Sequence, residues 1–335
     1  MISIVVPNFN CGERLAKNLP KLFDLLKKSK LEHEVIVVDD ASTDGSVETL
    51  TRGGLVNVVA KPKNTGFGTT VDRGIREAKG EIVFILNAID ILPESSDYFR
   101  LILEHFKDRK GLPAGRQVFS VAAAKKDEMV HGCGILLFHR GLFQHFHSFE
   151  DYKGWLQTMR TTRGQNPTSS AKTADQTSNL SAWADGGAEA IRKKYYLKIG
   201  GFDPLYKFYW EDVDLGYRAW KAGYRVDFEP KAILLHQKKE GPIAKYYNQR
   251  QRRIMNLRNQ FIFLWKNADL KHVLLWLLWR PYHFLVALKN HDWDFFVAHW
   301  QAKRTFFDIL ARRREQKKVT KFSDDQILKL FSGHV

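Results

Sequence analysis

Three features of the sequence predict an α/β fold on a parallel sheet: short β-branched runs without polar alternation, helical stripes between them, and polar residues where the runs end. Ile2 to Val6 and Val35 to Val38 are the first two runs. A strand covered on both faces needs apolar side chains at every position, whereas a half-solvated strand alternates. Between these runs Leu15, Leu19, Leu22, Phe23 and Leu26 recur at helical spacing, and Pro20 is expected to bend or interrupt that helix. Val56 to Ala60 and Ile82 to Leu86 repeat the strand signal, with Val71, Ile75 and Ala78 marking a helical face between them. Strands and helices in this order give right-handed crossovers and a parallel sheet.

Ligands of open α/β sheets bind outside the carboxyl ends of the strands, and Asn8, Asp39, Asp40, Asn87 and Asp90 fall there. No Gly-x-Gly-x-x-Gly turn follows the first strand and no Gly-Lys-Ser/Thr loop occurs, which disfavours dinucleotide and P-loop chemistry. Side chains would have to read any nucleotide. Further on, Gly200-Gly201-Phe202-Asp203 precedes Trp210-Glu211-Asp212-Val213-Asp214-Leu215. Adjacent carboxylates repel when both are ionised, so a pair kept together on an aromatic-flanked segment suits a general base. Arg218 lies i+4 from Asp214 on the predicted helix and can pair with one of these acids, which favours a structural role for Asp214.

The chain of 335 residues suits one large α/β domain with an appendage, and 44% hydrophobic content excludes general disorder. A net charge of +16 points to an anionic partner: phosphate, nucleic acid or acidic lipid. Two cysteines far apart, Cys11 and Cys133, fit a reducing compartment, and Met1 to Val6 reads as a strand rather than a secretory signal. A cytoplasmic protein is expected. Residues 160–182 are polar with almost no apolar anchor and read as a mobile loop, either a lid or a tolerated insertion. Asn179-Leu180-Ser181 is a glycosylation sequon without a secretory context.

The character changes after Pro230, and the catalytic part is taken to end near residue 240. In the 241–335 extension, Ile254, Leu257, Phe261, Leu264 and Trp265 form a helical stripe beside Arg250, Arg252, Arg253 and Arg258. A second amphipathic segment runs from Trp293 to Arg314. Val273 to Trp279 falls well short of the roughly 20 apolar residues that a spanning helix needs. Trp276, Trp279, Trp293 and Trp300 among Arg and Lys suit helices lying in a membrane interface, on the inner face of the cell membrane, or simply packed on the core.

With these residues laid out, the chain resembles the inverting glycosyltransferases of family 2. The resemblance runs from Met1 to about Gln237. It rests on Pro7-Asn8-Phe9-Asn10, Asp39-Asp40-Ala41-Ser42-Thr43-Asp44-Gly45, Asn64-Thr65-Gly66-Phe67-Gly68, Leu86-Asn87, Gly200-Gly201-Phe202-Asp203 and Glu211-Asp212-Val213-Asp214-Leu215, in the family's order. It implies a GT-A-like, Rossmann-like, mixed but mainly parallel sheet flanked by helices, with the C-terminal amphipathic helices as an extension. It also implies sugar transfer from a nucleotide donor to a hydroxyl of a glycan or lipid-linked acceptor, in surface polysaccharide synthesis.

By the same resemblance, Asp212 is the general base and Glu211 positions it. Asp40 reads the donor base, Pro7 and Phe9 shape its pocket, and Gly66 and Asp72 complete the donor side. Gly187 and Arg192 fall on the acceptor side. Asn87, Asp90 and His236 are the candidate ligands of Mg²⁺ or Mn²⁺. Here the sequence departs from the family: Ile89 stands where an acid is expected and Asp90 comes one residue later. On an extended strand that slip would turn the carboxylate to the other face, and a tight turn after Leu86 would bring it back. The partners implied are a nucleotide sugar, the acceptor and an anionic membrane surface, with no nucleic acid. Two further classes compete: a basic nucleic-acid- or lipid-binding protein on an α/β frame, and a nucleotidyltransferase. The first leaves the gathered strand-end acids unexplained, and the second lacks a Gly-rich loop after the first strand.

Overall fold

The computed structural model describes residues 1–54, 56–87, 90–107, 117–126, 134–146, 180–236 and 245–332. Its centre is an eight-stranded sheet in the order β3-β2-β1-β4-β9-β6-β10-β5. The strands are β1 (Ile2–Asn8), β2 (His33–Asp39), β3 (Asn57–Ala60), β4 (Ile82–Leu86), β5 (Ile91–Pro93), β6 (Val118–Lys125), β9 (Ala188–Arg192) and β10 (Arg225–His236). A separate hairpin pairs β7 (Ile135–His139) with β8 (Leu142–Phe146). The sheet is mixed and mainly parallel, as expected. All of β1 and the last five residues of β2 are buried, which is why their sequences do not alternate.

Strand direction decides where the functional residues gather. β1, β2, β3 and β4 run parallel, whereas β9 is antiparallel to both β4 and β6. β6 and β10 therefore run with β1. The carboxyl ends of β1, β2, β4, β6 and β10 share one edge with the amino ends of β9 and β5.

Helix α1 (Gly12–Ser29) runs through Pro20 without a break, contrary to expectation. Pro20 and Ala16 are both exposed, so the carbonyl that loses its partner faces water. Helix α2 (Ser46–Gly53) follows β2, and α3 (Phe67–Glu77) lies against β1 and β2. A Cβ at Gly74 in α3 would stand 2.5 Å from Val5 Cγ1 and 2.9 Å from Val38 Cγ2, so the glycine permits this approach. Helices α4 (Asp97–His105), α5 (Lys193–Lys198) and α6 (Glu211–Lys221) complete the flanks of the sheet.

The last part of the chain forms α7 (Gln249–Asn267), α8 (Leu270–Lys289), α9 (Trp293–Arg304), α10 (Phe306–Val319) and α11 (Asp324–Ser332). The segment from Trp293 to Arg314, read as one amphipathic stretch, is two helices divided at Thr305. Phe261, Phe263, Ala298, Ile309 and Phe331 belong to the same buried cluster as Val5 and Ile85, so the extension shares its core with the sheet. Among the described residues no helix is long and apolar enough to cross a membrane. Of the expected mobile loop, residues 160–179 lie outside the described residues, as does Cys133. Its last three residues are anchored: Leu180 bridges to Asp227, and Ser181 and Ala182 are buried.

Candidate active site

A cleft of about 300 Å³ opens at the shared strand edge. Nine of the expected site residues line it: Pro7 and Phe9 at the end of β1, Asp40 after β2, Asn87 and Asp90 beyond β4, Gly187 before β9, Glu211 and Asp212 at the start of α6, and His236 closing β10. They come from six parts of the chain. Side chains that sequence reading did not assign to the site also line it, among them Lys125, Asp185 and Phe208.

Asn8 ties the ends of β1 and β2 together, donating from Nδ2 to Asp39 Oδ1 at 2.6 Å and to Ser46 Oγ at 2.9 Å. Asp39 in turn accepts from the Ser42 N–H at 2.8 Å. Turn capping thus falls to Asp39, and Asp40 is left to organise the next loop. Asp40 accepts from Lys61 Nζ at 2.7 Å, the Thr65 N–H at 3.0 Å and the Gly66 N–H at 2.9 Å. Gly66 has φ +96°, and a Cβ there would meet Lys207 O at 2.7 Å. Only glycine fits that approach. It does not line the cleft itself and meets the site through its N–H on Asp40.

Two expectations are corrected. Asp72 points away from the cleft: it pairs with Arg76 at 2.7 Å and accepts from Tyr196 Oη at 2.8 Å. Arg192 is paired in register with Ile82, at the far end of β4, because β9 runs antiparallel. There it ion-pairs with Glu81 and donates to Phe106 O, and it does not line the cleft.

A turn resolves the shifted acid at Asp90. The Asp90 and Ile91 N–H groups both donate to Asn87 O, at 3.0 and 2.9 Å, and reverse the chain at the end of β4. Ala88 and Ile89 lie outside the described residues. Asn87 Nδ2 donates to Asp90 Oδ1 at 2.8 Å, while Asp90 Oδ2 faces His236 Nε2 at 3.6 Å. Burial pushes the Asp90 carboxyl above the usual carboxylate range, opposed by His236 and Lys125. Among the described residues no three His, Cys, Asp or Glu side chains form a metal cage. One carboxylate oxygen and one imidazole nitrogen instead fit a divalent cation whose remaining ligands are substrate phosphates and water.

The acid pair sits on an unusual turn. Tyr209 and Trp210 both have φ in the left-handed region, at +66° and +69°, which disfavours residues with a Cβ. The turn is held from α7: Asn259 Nδ2 donates to Phe208 O and Tyr209 O at 2.7 and 2.9 Å, and Trp210 Nε1 donates to Asn256 Oδ1 at 2.7 Å. The C-terminal helices thereby position the first turn of α6. Gly186 faces it, and a Cβ there would lie 3.1 Å from the Phe67 ring and 3.5 Å from Asp212 Cβ.

Burial separates the two neighbouring acids. Glu211 is pushed well above the usual carboxylate range, by burial first and then by Asp212, and its Oε2 is buried without a hydrogen-bond partner. Glu189, buried in β9, is raised for the same reasons, with Asp212 and Asp185 adding repulsion. Both buried carboxyls resist ionisation beside Asp212, which lines the cleft itself. Lys125 ends β6 and donates to Asp185 Oδ2 at 2.7 Å, placing a cation among these acids.

Residues 3–150 match the family model of glycosyl transferase family 2, and residues 127–302 match that of glycosyl transferase family group 2. The chain belongs to glycosyltransferase family 2. It is 25% identical over 265 residues to N-acetylglucosaminyl-diphospho-decaprenol L-rhamnosyltransferase of Mycobacterium tuberculosis, covering 71% of this chain and 76% of that protein. Its fold is similar to that of the mannosyltransferase PcManGT from Pyrobaculum calidifontis, solved with GDP-Man and Mn²⁺, at TM-score 0.50 and 15% identity, covering 99% of this chain and 84% of that one. It is also similar to S. aureus TarS 1-349 in complex with UDP-GlcNAc, at TM-score 0.51 and 16% identity, covering 94% and 90%. The family 2 sheet is thus the GT-A architecture. As a family 2 glycosyltransferase the protein is an enzyme, and the binding-protein and nucleotidyltransferase readings fall away.

Proposed function

We propose that the protein is an inverting glycosyltransferase that moves a sugar from a nucleoside-diphosphate donor to a hydroxyl of a glycan or lipid-linked acceptor, in cell-surface polysaccharide synthesis. The observation that carries this reading is the convergence of Asp40, Asp90 and Asp212 from remote parts of the chain on one cleft. The acceptor oxygen bonds to the anomeric carbon, the bond from that carbon to the diphosphate oxygen breaks with its electron pair, and Asp212 takes the hydroxyl proton. Burial pushes Glu211 well above the usual carboxylate range and so disfavours a second charge beside Asp212. Gly186 leaves room for the acceptor beside it.

On the donor side a carboxylate accepts about four hydrogen bonds, so the three protein donors on Asp40 leave one acceptor position for a base N–H. Phe9, whose ring centroid lies 5.3 Å from that of Tyr246, walls this end of the cleft. Asp90 and His236, with Asn87 holding Asp90, are the residues that would hold Mg²⁺ or Mn²⁺, which when bound neutralises charge on the departing diphosphate. The Lys125 ammonium supplies further positive charge to the same group. Nucleic acid is not expected as a partner: Arg250 and Arg253 are paired with Asp294 and Asp292 rather than offered to a polyanion.

A thermal-shift panel of nucleoside diphosphates, each with and without Mn²⁺, tests the donor reading. One nucleotide should raise Tm, more so with Mn²⁺, because a ligand at 100 times its Kd stabilises by about 2.7 kcal/mol. No shift with any of them would overturn it, and full transfer activity in excess chelator would remove the cation.

A further inference from the structure

Among the described residues thirteen of the seventeen exposed large hydrophobic side chains lie between Leu270 and Phe307, on three consecutive helices. This is not the scatter of single apolar residues that any surface carries. On α8, Leu270, Leu274, Leu277, Leu278, Leu285 and Leu288 are all exposed, Leu278 at 74% and Leu285 at 66%. At 100° per residue these six fall within an arc of about 100° on one side of the helix. The opposite side, with His272, Trp276 and Ala287, is buried against the protein.

Charge flanks the apolar arc. Helical geometry places Lys289 and Lys271, the latter ion-paired with Asp325, along one border and Arg280 along the other, all exposed. Beyond α8, Trp293 and Trp300 on α9 and Phe307 on α10 are also exposed, and the Arg304 guanidinium lies 4.8 Å from the Trp300 ring. Leucines on one face, lysines at its borders and exposed tryptophans beside it suit the boundary between acyl chains and headgroups.

We propose that this face of α8 is a docking surface for an anionic lipid bilayer, with the six leucines entering the headgroup–acyl boundary and Arg280 and Lys289 meeting lipid phosphates. Charge decides against a second copy of the chain as the occupant. A two-fold contact would bring the same cationic borders together in a protein that already carries +16, whereas an anionic leaflet complements them. The helix lies in the surface and does not span it. The inference uses nothing from the cleft, so it stands or falls apart from the reaction proposed above.

Co-flotation of the full chain with vesicles tests it, using phosphatidylcholine alone and phosphatidylcholine with phosphatidylglycerol. Wild-type protein should float with the anionic vesicles, bind neutral ones far less, and be partly released by high salt as the charge attraction is screened. The double variant Leu278→Glu/Leu285→Glu should lose flotation by about tenfold or more, because it places two acids on the apolar face. Both leucines are exposed, so its Tm and its nucleotide-induced shift should match wild type. Failure of the wild type to float at low salt, or equal flotation of the variant, would overturn the proposal. So would a wild-type dimer in sedimentation that the same variant converts to monomer.

Discussion

Asp212 and Asp214 stand two residues apart at the start of α6 and do opposite work. Two residues on a helix are separated by about 200°, so they point to different sides. Asp212 lines the cleft beside a buried Glu211 whose carboxyl is pushed well above the usual range. Asp214 is sealed in the interior, where it pairs with Arg218 Nε at 2.7 Å and Lys266 Nζ at 2.7 Å and accepts from Asn267 Nδ2 at 2.7 Å. Arg218 also donates to Ile199 O and Gly201 O, and Lys266 reaches Asp203 at 2.7 Å. Stability is concentrated where each charge has its counterpart. The proposed chemistry lies where acids are crowded and single buried carboxyl oxygens of Glu189 and Glu211 lack partners.

The largest effect expected is on the sealed side. Lys266→Met removes a buried cation from between two carboxylates and should cost about 3–5 kcal/mol, read from denaturant unfolding. A change well under 1 kcal/mol would mean that Arg218 alone balances Asp203 and Asp214. The same variant sharpens the acid limb. Lys266 and Arg218 hold Asp203 down at about 2, well below its ordinary value. A depressed carboxyl stabilises the fold above its unfolded pKa, and that contribution is lost as pH falls through the folded one. Wild-type stability should therefore fall between about pH 4 and pH 2, and Lys266→Met should flatten that fall.

On the cleft side, Asp212→Asn should lower turnover by about 10²-fold or more while nucleotide binding persists. Its stability should be unchanged or higher, since the Asp212 charge opposes ionisation of the buried Glu211 and Glu189. Turnover near wild type would remove Asp212 as the base, and a large loss of stability would make it a second Asp214. The smallest effect belongs to Asp72→Asn, outside both clusters. Asparagine can still accept from Tyr196 Oη, so donor KM and kcat should stay within about twofold of wild type. A tenfold rise in donor KM would return Asp72 to the donor site.

Much of this was legible before the structure. Unbroken apolar runs located the strands, and the polar residues ending them located most of the cleft, because strand ends of a parallel sheet share an edge. Asp214 with Arg218 was readable from helical spacing alone. Arg192 was misplaced for a physical reason: β9 runs antiparallel, so Gly187 and Arg192, five residues apart, fall at opposite edges, about 13–17 Å from each other. Periodicity marks a strand and is silent on its direction. Lys125 left no local signal, being one lysine among many in a basic chain, and became part of the site only when β6 ended beside Asp185.

The sequence by itself determined the α/β class, the strand-end acids and the helix that begins with Glu211 and Asp212, because these follow from local periodicity and chemistry. Only the tertiary structure decided which acid is buried, which residues meet Asp40, and that Asn256 and Asn259 of a distant helix hold the turn before Asp212. Burial and partner choice depend on segments far apart in the chain. The desolvation that raises Glu211 therefore arises only when the sheet, α6 and the C-terminal helices close on one another.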